Sequence, residues 1–366
     1  MAGAAYLNRG GERVLVVRLG AIGDVLRTLP AVRRLRAARP DLHIGWVVED
    51  WVYPVVAGNP NVDRFHILHR RELSAGPRAA LREARRLVRE IRAAGYDAAL
   101  DFHGRLKSGI VTRLSGAPVR IGYDKAAATE GNHCFTTVHV TLEDVGENRV
   151  LRFLHLLAPL GISTAWDPRE TGLYVEPVVR EAAQAWHESV GRPSLAVFPG
   201  SSSKRARERW PEQKWIELLS RAGGSGVRSA VFWGPAEQEV AARIVAAAGS
   251  RTVLAPATTL PEMIAMIGCF DAFIGSDTAA MHMAWLQGVP TAVFVGPKAP
   301  RTVAPLSPMI SRVLRAEEFY VEGLRPRLQS VDIISAVPVG EAMAAVRYVL
   351  DAGRARTIEP GESAPS

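Results

Sequence analysis

Asp24 closes a run of β-forming residues and two glycines, Val14-Leu15-Val16-Val17-Arg18-Leu19-Gly20-Ala21-Ile22-Gly23-Asp24. An acid placed where a strand gives way to a helix has two chemistries open to it. It can cap the helix by accepting hydrogen bonds from the free N–H groups. It can instead face a cleft and act as a general base that takes a proton from a hydroxyl. The local sequence favours the cap. Gly20-x-x-Gly23 is not the G-x-G-x-x-G of dinucleotide folds, and no Gly-Lys-Ser/Thr follows it as in a phosphate loop. A carboxylate at a helix start also repels phosphate, so the first half is not expected to hold a nucleotide.

The second half offers a different constellation. Loops 200–203, 234–238 and 275–282 each follow a β-rich run, so they should lie along one edge of one sheet. Small residues at 200–203, Ser201 and Ser202 among them, let backbone N–H groups approach a phosphate closely. A helix beginning at Asp277 or Thr278 offers its positive end to the same group. Asp277 can cap that helix or accept from a hydroxylated ligand; Thr278 can donate, and His282 lies one turn on. The basic run Lys204-Arg205-Ala206-Arg207-Glu208-Arg209 reads as an exposed loop or as cations for a leaving diphosphate. Trp210 and Trp215 read as packing residues. His103 is a cleft candidate whose type alone fits core or surface better.

No histidine or cysteine spacing fits a metal site, and no cofactor is called for. Cys134 and Cys269 are too far apart in sequence to form a cluster and read as reduced thiols of a cytosolic protein. Residues 1–12 lack an apolar signal region, and no apolar stretch approaches the ~20 residues of a spanning helix. The net charge of +8 is uneven: residues 1–180 carry 26 Lys/Arg against 19 Asp/Glu, the remainder 19 against 18. Much of the excess is arginine between Arg64 and Arg92. It reads as a solvated helix face, or as a surface for an anionic partner such as phospholipid or a phosphorylated acceptor. No nucleic-acid motif is present, so no nucleic-acid partner is expected.

The elements that would position these groups alternate between strand and helix, which predicts an α/β protein with parallel sheets. Strands are expected near 13–18, 43–48, 64–67, 97–101 and 118–122, with helices near 24–38, 77–94 and 105–115. In the first of these helices Leu26, Leu29, Val32 and Leu35 form the apolar face, with arginines opposite. One helix should run from 147 to 160 and stop at Gly161. A second α/β unit should begin near 181, with strands at 194–198, 227–233, 270–275 and 292–296. Helices are expected over 210–222 and from 278 to 287. The length suits two domains, 1–180 and 181–355, followed by a disordered tail, 356–366.

The chain resembles the heptosyltransferase family, glycosyltransferase family 9. The resemblance spans roughly Val14 to Leu350. In the first half it rests on the Val16-to-Pro30 segment, Asn59-Pro60-Asn61-Val62-Asp63, Asp101-Phe102-His103-Gly104-Arg105-Leu106-Lys107-Ser108 and Arg120-Ile121-Gly122-Tyr123-Asp124. In the second half it rests on Pro199-Gly200-Ser201, Arg209-Trp210-Pro211, Trp233-Gly234, Ser276-Asp277-Thr278-Ala279-Ala280-Met281-His282 and Phe294-Val295-Gly296-Pro297.

The resemblance implies a GT-B fold of two Rossmann-like domains facing each other across a cleft, acceptor on the first and nucleotide sugar on the second. It implies inverting, metal-independent transfer of heptose from ADP-heptose to a lipopolysaccharide inner-core acceptor, at the cytoplasmic face of the inner membrane. Asp24 would then be the base, overturning the local preference for a cap. Ser201, Ser202, Arg209, Glu237, Asp277, Thr278, Ala279 and His282 would hold the donor. Arg18, Arg105, Lys107 and Arg120 would meet the anionic glycolipid acceptor. Two positions depart from the family pattern: Glu208 stands where Lys is usual, and Ala279 where Gly is usual. A carboxylate cannot neutralise a diphosphate, so Lys204, Arg205, Arg207 or Arg209 would substitute. Another nucleotide sugar, or sugar-nucleotide binding without transfer, are the alternatives.

Overall fold

The strands are short apolar runs that need cover on both faces, and the chain meets this with two parallel sheets. The computed structural model describes residues 12–200, 209–295, 300–306, 311–315 and 333–358. The chain divides into two units, Met1–Tyr174 and Val175–Ser366.

The first unit holds β1 (Arg13–Val17), α1 (Ile22–Ala38), β2 (His43–Glu49), β3 (Arg64–Leu68), α2 (Arg70–Ser74) and α3 (Pro77–Ala94). β4 (Ala98–Asp101), α4 (Leu106–Leu114), β5 (Val119–Tyr123), β6 (Val138–Val140) and α5 (Arg149–His155) follow. The strand order is β3-β2-β1-β4-β5-β6. Val14 to Val17 of β1 are fully buried. Leu15 and Val17 pack with Leu87 and Ile91 of α3, and Val111 of α4 joins the same cluster. Gly45 of β2 is required by close approach, because a Cβ there would lie 1.8 Å from the Tyr96 hydroxyl.

The second unit holds α6 (Pro177–Val190), β7 (Ser194–Phe198), α7 (Glu212–Gly224), β8 (Arg228–Val231), α8 (Gln238–Ala248), β9 (Thr252–Leu254) and α9 (Leu260–Gly268). β10 (Ala272–Ser276), α10 (Ala279–Trp285), β11 (Thr291–Val295), α11 (Pro300–Val303), β12 (Ser311–Arg315) and α12 (Val339–Ile358) complete it. Its order is β12-β11-β10-β7-β8-β9, which repeats that of the first unit when counted from β7. Trp210 stacks on Phe294 with ring centroids 4.8 Å apart and meets Trp215 edge-on at 5.0 Å, so both tryptophans are core, as their types suggested. α12 reaches Ile358, inside the segment 356–366 expected to be tail, and residues 359–366 lie outside the described residues.

In each unit the strand order reverses between two neighbouring parallel strands, β1 with β4 and β7 with β10. The crevice beyond the carboxyl ends at such a reversal is where open α/β sheets bind ligands. Register fixes what meets there. Val17 of β1 lies beside Asp101 of β4, and Phe198 of β7 beside Gly275 of β10.

Several expectations need correction. α1 starts at Ile22 with Ala21 as its cap residue, so Asp24 is the third residue of the helix and caps nothing. The face of α1 opposite its leucines is not uniformly solvated, because Arg27 is buried. The single helix expected over 147–160 is two pieces, α5 and a 3-10 turn at Ala158–Leu160. Pro159 lacks the N–H that an uninterrupted helix would use. α10 ends at Trp285 rather than at 287.

Candidate active site

In the first unit, β1 delivers Arg18 and the Gly20 turn, and α1 then projects Asp24 from its first turn. Arg18 is buried, donates to the Phe102 carbonyl at 2.8 Å, and pairs with Asp24. Its guanidinium lies 5.5 Å from the Phe153 ring centroid. Arg27, one turn along α1, donates through Nε to the Gly23 carbonyl at 3.1 Å and through its guanidinium to Asp24. Arg149 opens α5 immediately after its Asn148 cap and reaches Asp24 Oδ1 at 2.8 Å.

The electrostatics follow from this crowd. Burial alone pushes the Asp24 carboxyl upward, but Arg18, Arg27 and Arg149 outweigh it and hold the group well below the usual carboxylate range. Burial lowers Arg18 despite its partner, yet a guanidinium stays charged at any pH a folded protein tolerates. Three guanidiniums thus converge on this one carboxylate. His103 follows β4, and burial, reinforced by Arg18, holds its imidazole down at about 3. It is therefore neutral at physiological pH. His103 Nδ1 and Arg18 Nε are buried with no hydrogen-bond partner among the described residues.

Asp101 builds the turn that carries His103. Its buried carboxylate accepts from the N–H groups of His103 at 2.9 Å and Gly104 at 3.0 Å, and from Asn132 Nδ2 at 2.7 Å. Gly104 supplies the left-handed backbone the turn needs, at φ +69°.

The remaining acceptor candidates are placed differently. Lys107 Nζ binds Glu49 Oε1 at 2.6 Å, and the Glu49 N–H donates to the Leu19 carbonyl at 2.8 Å, so Lys107 braces the loop leading to Asp24. Arg105 is exposed, 3.7 Å from Glu130. Arg120 donates to the carbonyls of Phe135 at 2.9 Å and Ala117 at 2.8 Å, and is not drawn into the Asp24 cluster. Sequence reasoning missed Arg27 and Arg149 as members of that cluster. For Arg27 the i, i+3 spacing from Asp24 was available as a signal.

In the second unit the carboxyl ends of β7, β8 and β10 bring another set together. Glu237 Oε2 accepts from the Gly234 N–H at 3.0 Å, and Oε1 lies 3.4 Å from the Arg209 guanidinium. A Cβ on Gly234 would fall 2.6 Å from Glu237 Oε2, and one on Gly200 2.8 Å from its Cδ. Both glycines are thus spaces that the glutamate fills. Beyond β10, Ser276 Oγ and Thr278 Oγ1 are buried without a hydrogen-bond partner among the described residues. Thr278 occupies the cap position of α10 without capping through its side chain, and Ala279 is the first helical residue. His282 is buried; its Nδ1 accepts from Trp285 Nε1 at 2.9 Å, which directs the Nε2 proton towards Asp277 Oδ1, 4.0 Å away. Ser201 and Ser202 lie outside the described residues, as do Lys204, Arg205, Arg207 and Glu208.

Among the described residues, no group of three or more His, Cys, Asp or Glu side chains is placed to hold a metal ion. No helix among them is long and apolar enough to cross a membrane.

Comparison with known proteins bears on the family and the fold. Residues 84–322 match the family described as glycosyltransferase family 9 (heptosyltransferase). The chain is 30% identical over 298 residues to lipopolysaccharide heptosyltransferase 1 of Pseudomonas aeruginosa, covering 79% of each. It is 26% identical over 314 residues to lipopolysaccharide heptosyltransferase 2 of Escherichia coli K12, covering 83% of this chain and 88% of that one. Among solved structures, a family 9 glycosyl transferase from Veillonella parvula superimposes with TM-score 0.79 at 22% identity, over 96% of this chain and all of that one. E. coli heptosyltransferase WaaC with ADP-2-deoxy-2-fluoro heptose gives TM-score 0.70 at 24% identity, over 92% and 99%. The fold is GT-B, built from two Rossmann-like units.

Proposed function

The chain belongs to glycosyltransferase family 9, and from that premise we propose that it moves a heptose from ADP-heptose to the inner core of lipopolysaccharide without a metal ion. Asp24 is the base, and the acceptor is an anionic glycolipid met at the cytoplasmic surface of the inner membrane. The observation that carries this reading is the position of Asp24. It is ionised, half-buried among guanidiniums and set in the first turn of α1, beyond the carboxyl end of β1 where the strand order reverses.

In the proposed step the acceptor oxygen attacks the anomeric carbon while the bond from that carbon to the β-phosphate oxygen breaks. ADP departs with the bonding pair, the configuration inverts, and the acceptor proton passes to Asp24. A carboxylate held this low is a weak base at rest. An anion on the acceptor that drew Arg149 or Arg18 away from Asp24 would raise its basicity when substrate is present. Arg18, Arg105 and Lys107 remain the proposed acceptor contacts, now joined by Arg149, whereas Arg120 gives its Nε and Nη1 donors to main-chain carbonyls. On the donor side, Glu237 suits the ribose hydroxyls because its carboxylate is fixed by Gly234 and Arg209. The hydroxyls of Ser276 and Thr278, without a partner among the described residues, suit phosphate oxygens, with Ser201, Ser202, Asp277, Ala279 and His282 completing the site. Positioning and neutralisation of the leaving diphosphate supply most of the rate.

Calorimetric titration with ADP, UDP and GDP, with and without magnesium, tests the donor. Selective ADP binding that needs no magnesium is expected, followed by heptose transfer to a lipid A core acceptor in assay. Preference for UDP or GDP would keep the fold and overturn the donor, with Glu208 as the sequence difference to test first. Binding of none would favour a non-catalytic protein.

A further inference from the structure

The mechanism leaves two helices of the first unit with unusual solvent faces. In α4 the buried side is small and polar, with Ser108, Gly109 and Thr112. Its outward side carries Leu106, Ile110 and Leu114, which are 44%, 42% and 37% exposed. The spacing i, i+4, i+8 lines these three aliphatic side chains along one stripe, flanked by exposed Lys107 and Arg113. An aliphatic stripe at the centre of a helix's solvent face inverts the usual amphipathic arrangement.

α3 lies on the same side of the sheet. Its Leu87 and Ile91 share a core cluster with Val111 of α4, and Arg92 Nε donates to the Leu114 carbonyl at 2.9 Å. The outward face of α3 carries Arg78, Arg82, Arg85 and Arg89, all exposed. Their spacing places them in one stripe about 16 Å long. The acids of the helix are turned away from it. Glu83 and Glu90 bind Arg86 at 2.7 and 2.8 Å on the inner edge. Arg82 meets Glu72 of α2, whereas Arg78, Arg85 and Arg89 have no carboxylate partner among the described residues.

We propose that the solvent faces of α3 and α4 together dock on an anionic phospholipid bilayer. Leu106, Ile110 and Leu114 enter the acyl boundary, and the arginine stripe sits at the phosphates. Charge complementarity selects this occupant, and the aliphatic stripe needs an apolar phase that a nucleic acid or a soluble acidic peptide does not provide. The surface also leads to the candidate site. The first turn of α4 is tied through Lys107 and Glu49 to the loop that precedes Asp24. The inference extends the membrane contact of the proposed function by naming the surface. Neither donor nor acceptor is needed to test it.

Sedimentation of the full chain with vesicles decides the matter. Binding is expected to vesicles of phosphatidylcholine and phosphatidylglycerol in equal parts, falling with added salt, and not to phosphatidylcholine alone. Arg85→Glu with Arg89→Glu should weaken that binding about tenfold or more. Ile110→Asp should do the same at low salt, with the thermal unfolding of both variants unchanged. Wild-type protein that ignores anionic vesicles, or variants that bind them as well as wild type, would overturn the proposal. So would an Ile110→Asp variant that turns a dimer into a monomer while still binding vesicles, because the face would then join two copies of the chain. None of these outcomes depends on whether ADP binds, so loss of the docking surface and loss of the donor reading are separable.

Discussion

Arg149 and Asp24 are 125 positions apart in the chain, and their side chains meet at 2.8 Å. The contact joins the first turn of α5 to the first turn of α1 and completes a ring of guanidiniums begun by Arg18 and Arg27. Of the three arginines, Arg149 is the most exposed, at 41% against 6% and 7% for the other two side chains. It is therefore the one of the three most open to solvent, and the proposed function has it exchange Asp24 for an anion of the acceptor.

Replacing Arg149 by Gln removes one cation from Asp24, so the carboxyl should rise towards its ordinary value. The acid limb of kcat/KM is expected to move to higher pH in Arg149→Gln. Stability should change by no more than about 1 kcal/mol, because the guanidinium is partly solvated. Rate–pH profiles of wild type and variant check this. Superimposable acid limbs would remove Arg149 from the control of Asp24.

His103 makes a second pH signature. Its folded value of about 3 lies below the ordinary 6.5, so between these limits the unfolded chain binds the extra proton. Stability from this group is full above about 6.5 and falls as pH drops towards 3, by at most about 1.4 kcal/mol per pH unit. His103→Gln should flatten the acid side of the stability profile by that slope, as read from urea unfolding at several pH values. An unchanged slope would mean that the imidazole is solvated.

The sequence made the Asp24 neighbourhood partly legible. An apolar run, a glycine turn and an apolar stripe at Leu26, Leu29, Val32 and Leu35 are local signals, and all four of these side chains are buried. Misreading Asp24 as a cap came from placing the helix start two residues late, since α1 begins at Ile22. Arg27 was assigned to solvent by helical periodicity, which describes apolarity and is blind to a buried ion pair. Arg149 carried no local signal, because its partner is defined only when α5 folds against α1. Arg120 shows the converse: its type suggested an anion, and the fold gives its donors to main-chain carbonyls. In the second unit, glycines at 200 and 234 marked strand ends, but only the structure shows that both make room for one carboxylate.

That carboxylate gives the third prediction. Glu237→Ala leaves the Gly234 N–H without its acceptor and removes one anionic partner of Arg209. The lost hydrogen bond costs about 1 kcal/mol of stability. If Glu237 holds a ribose hydroxyl, ADP affinity should fall about tenfold, which is the 1.4 kcal/mol of one further good hydrogen bond. Calorimetry reads both ADP affinity and its enthalpy. Unchanged affinity would make Glu237 a brace for the 234–237 turn alone.

Asp24→Asn separates the proposed catalytic role of the central carboxylate from its structural one. The substitution keeps the shape, removes the proposed base, and takes the shared carboxylate from Arg18, Arg27 and Arg149. Turnover should fall by about two to four powers of ten, the usual contribution of a positioned base. ADP affinity should hold, because the donor candidates are anchored to the other sheet. Stability at neutral pH should drop by about 3 kcal/mol, the order expected when one partner of a buried pair is removed. The pH dependence carries its own sign. Because the folded value is depressed, the carboxylate stabilises wild type fully above its ordinary value near 3.8 and loses that contribution as pH falls below it. The gap between wild type and Asp24→Asn should thus be constant from neutrality to about pH 5 and close only in stronger acid. A variant that keeps near-normal turnover with the same stability loss would leave Asp24 as the keystone of an arginine cluster, and the base would have to be sought elsewhere.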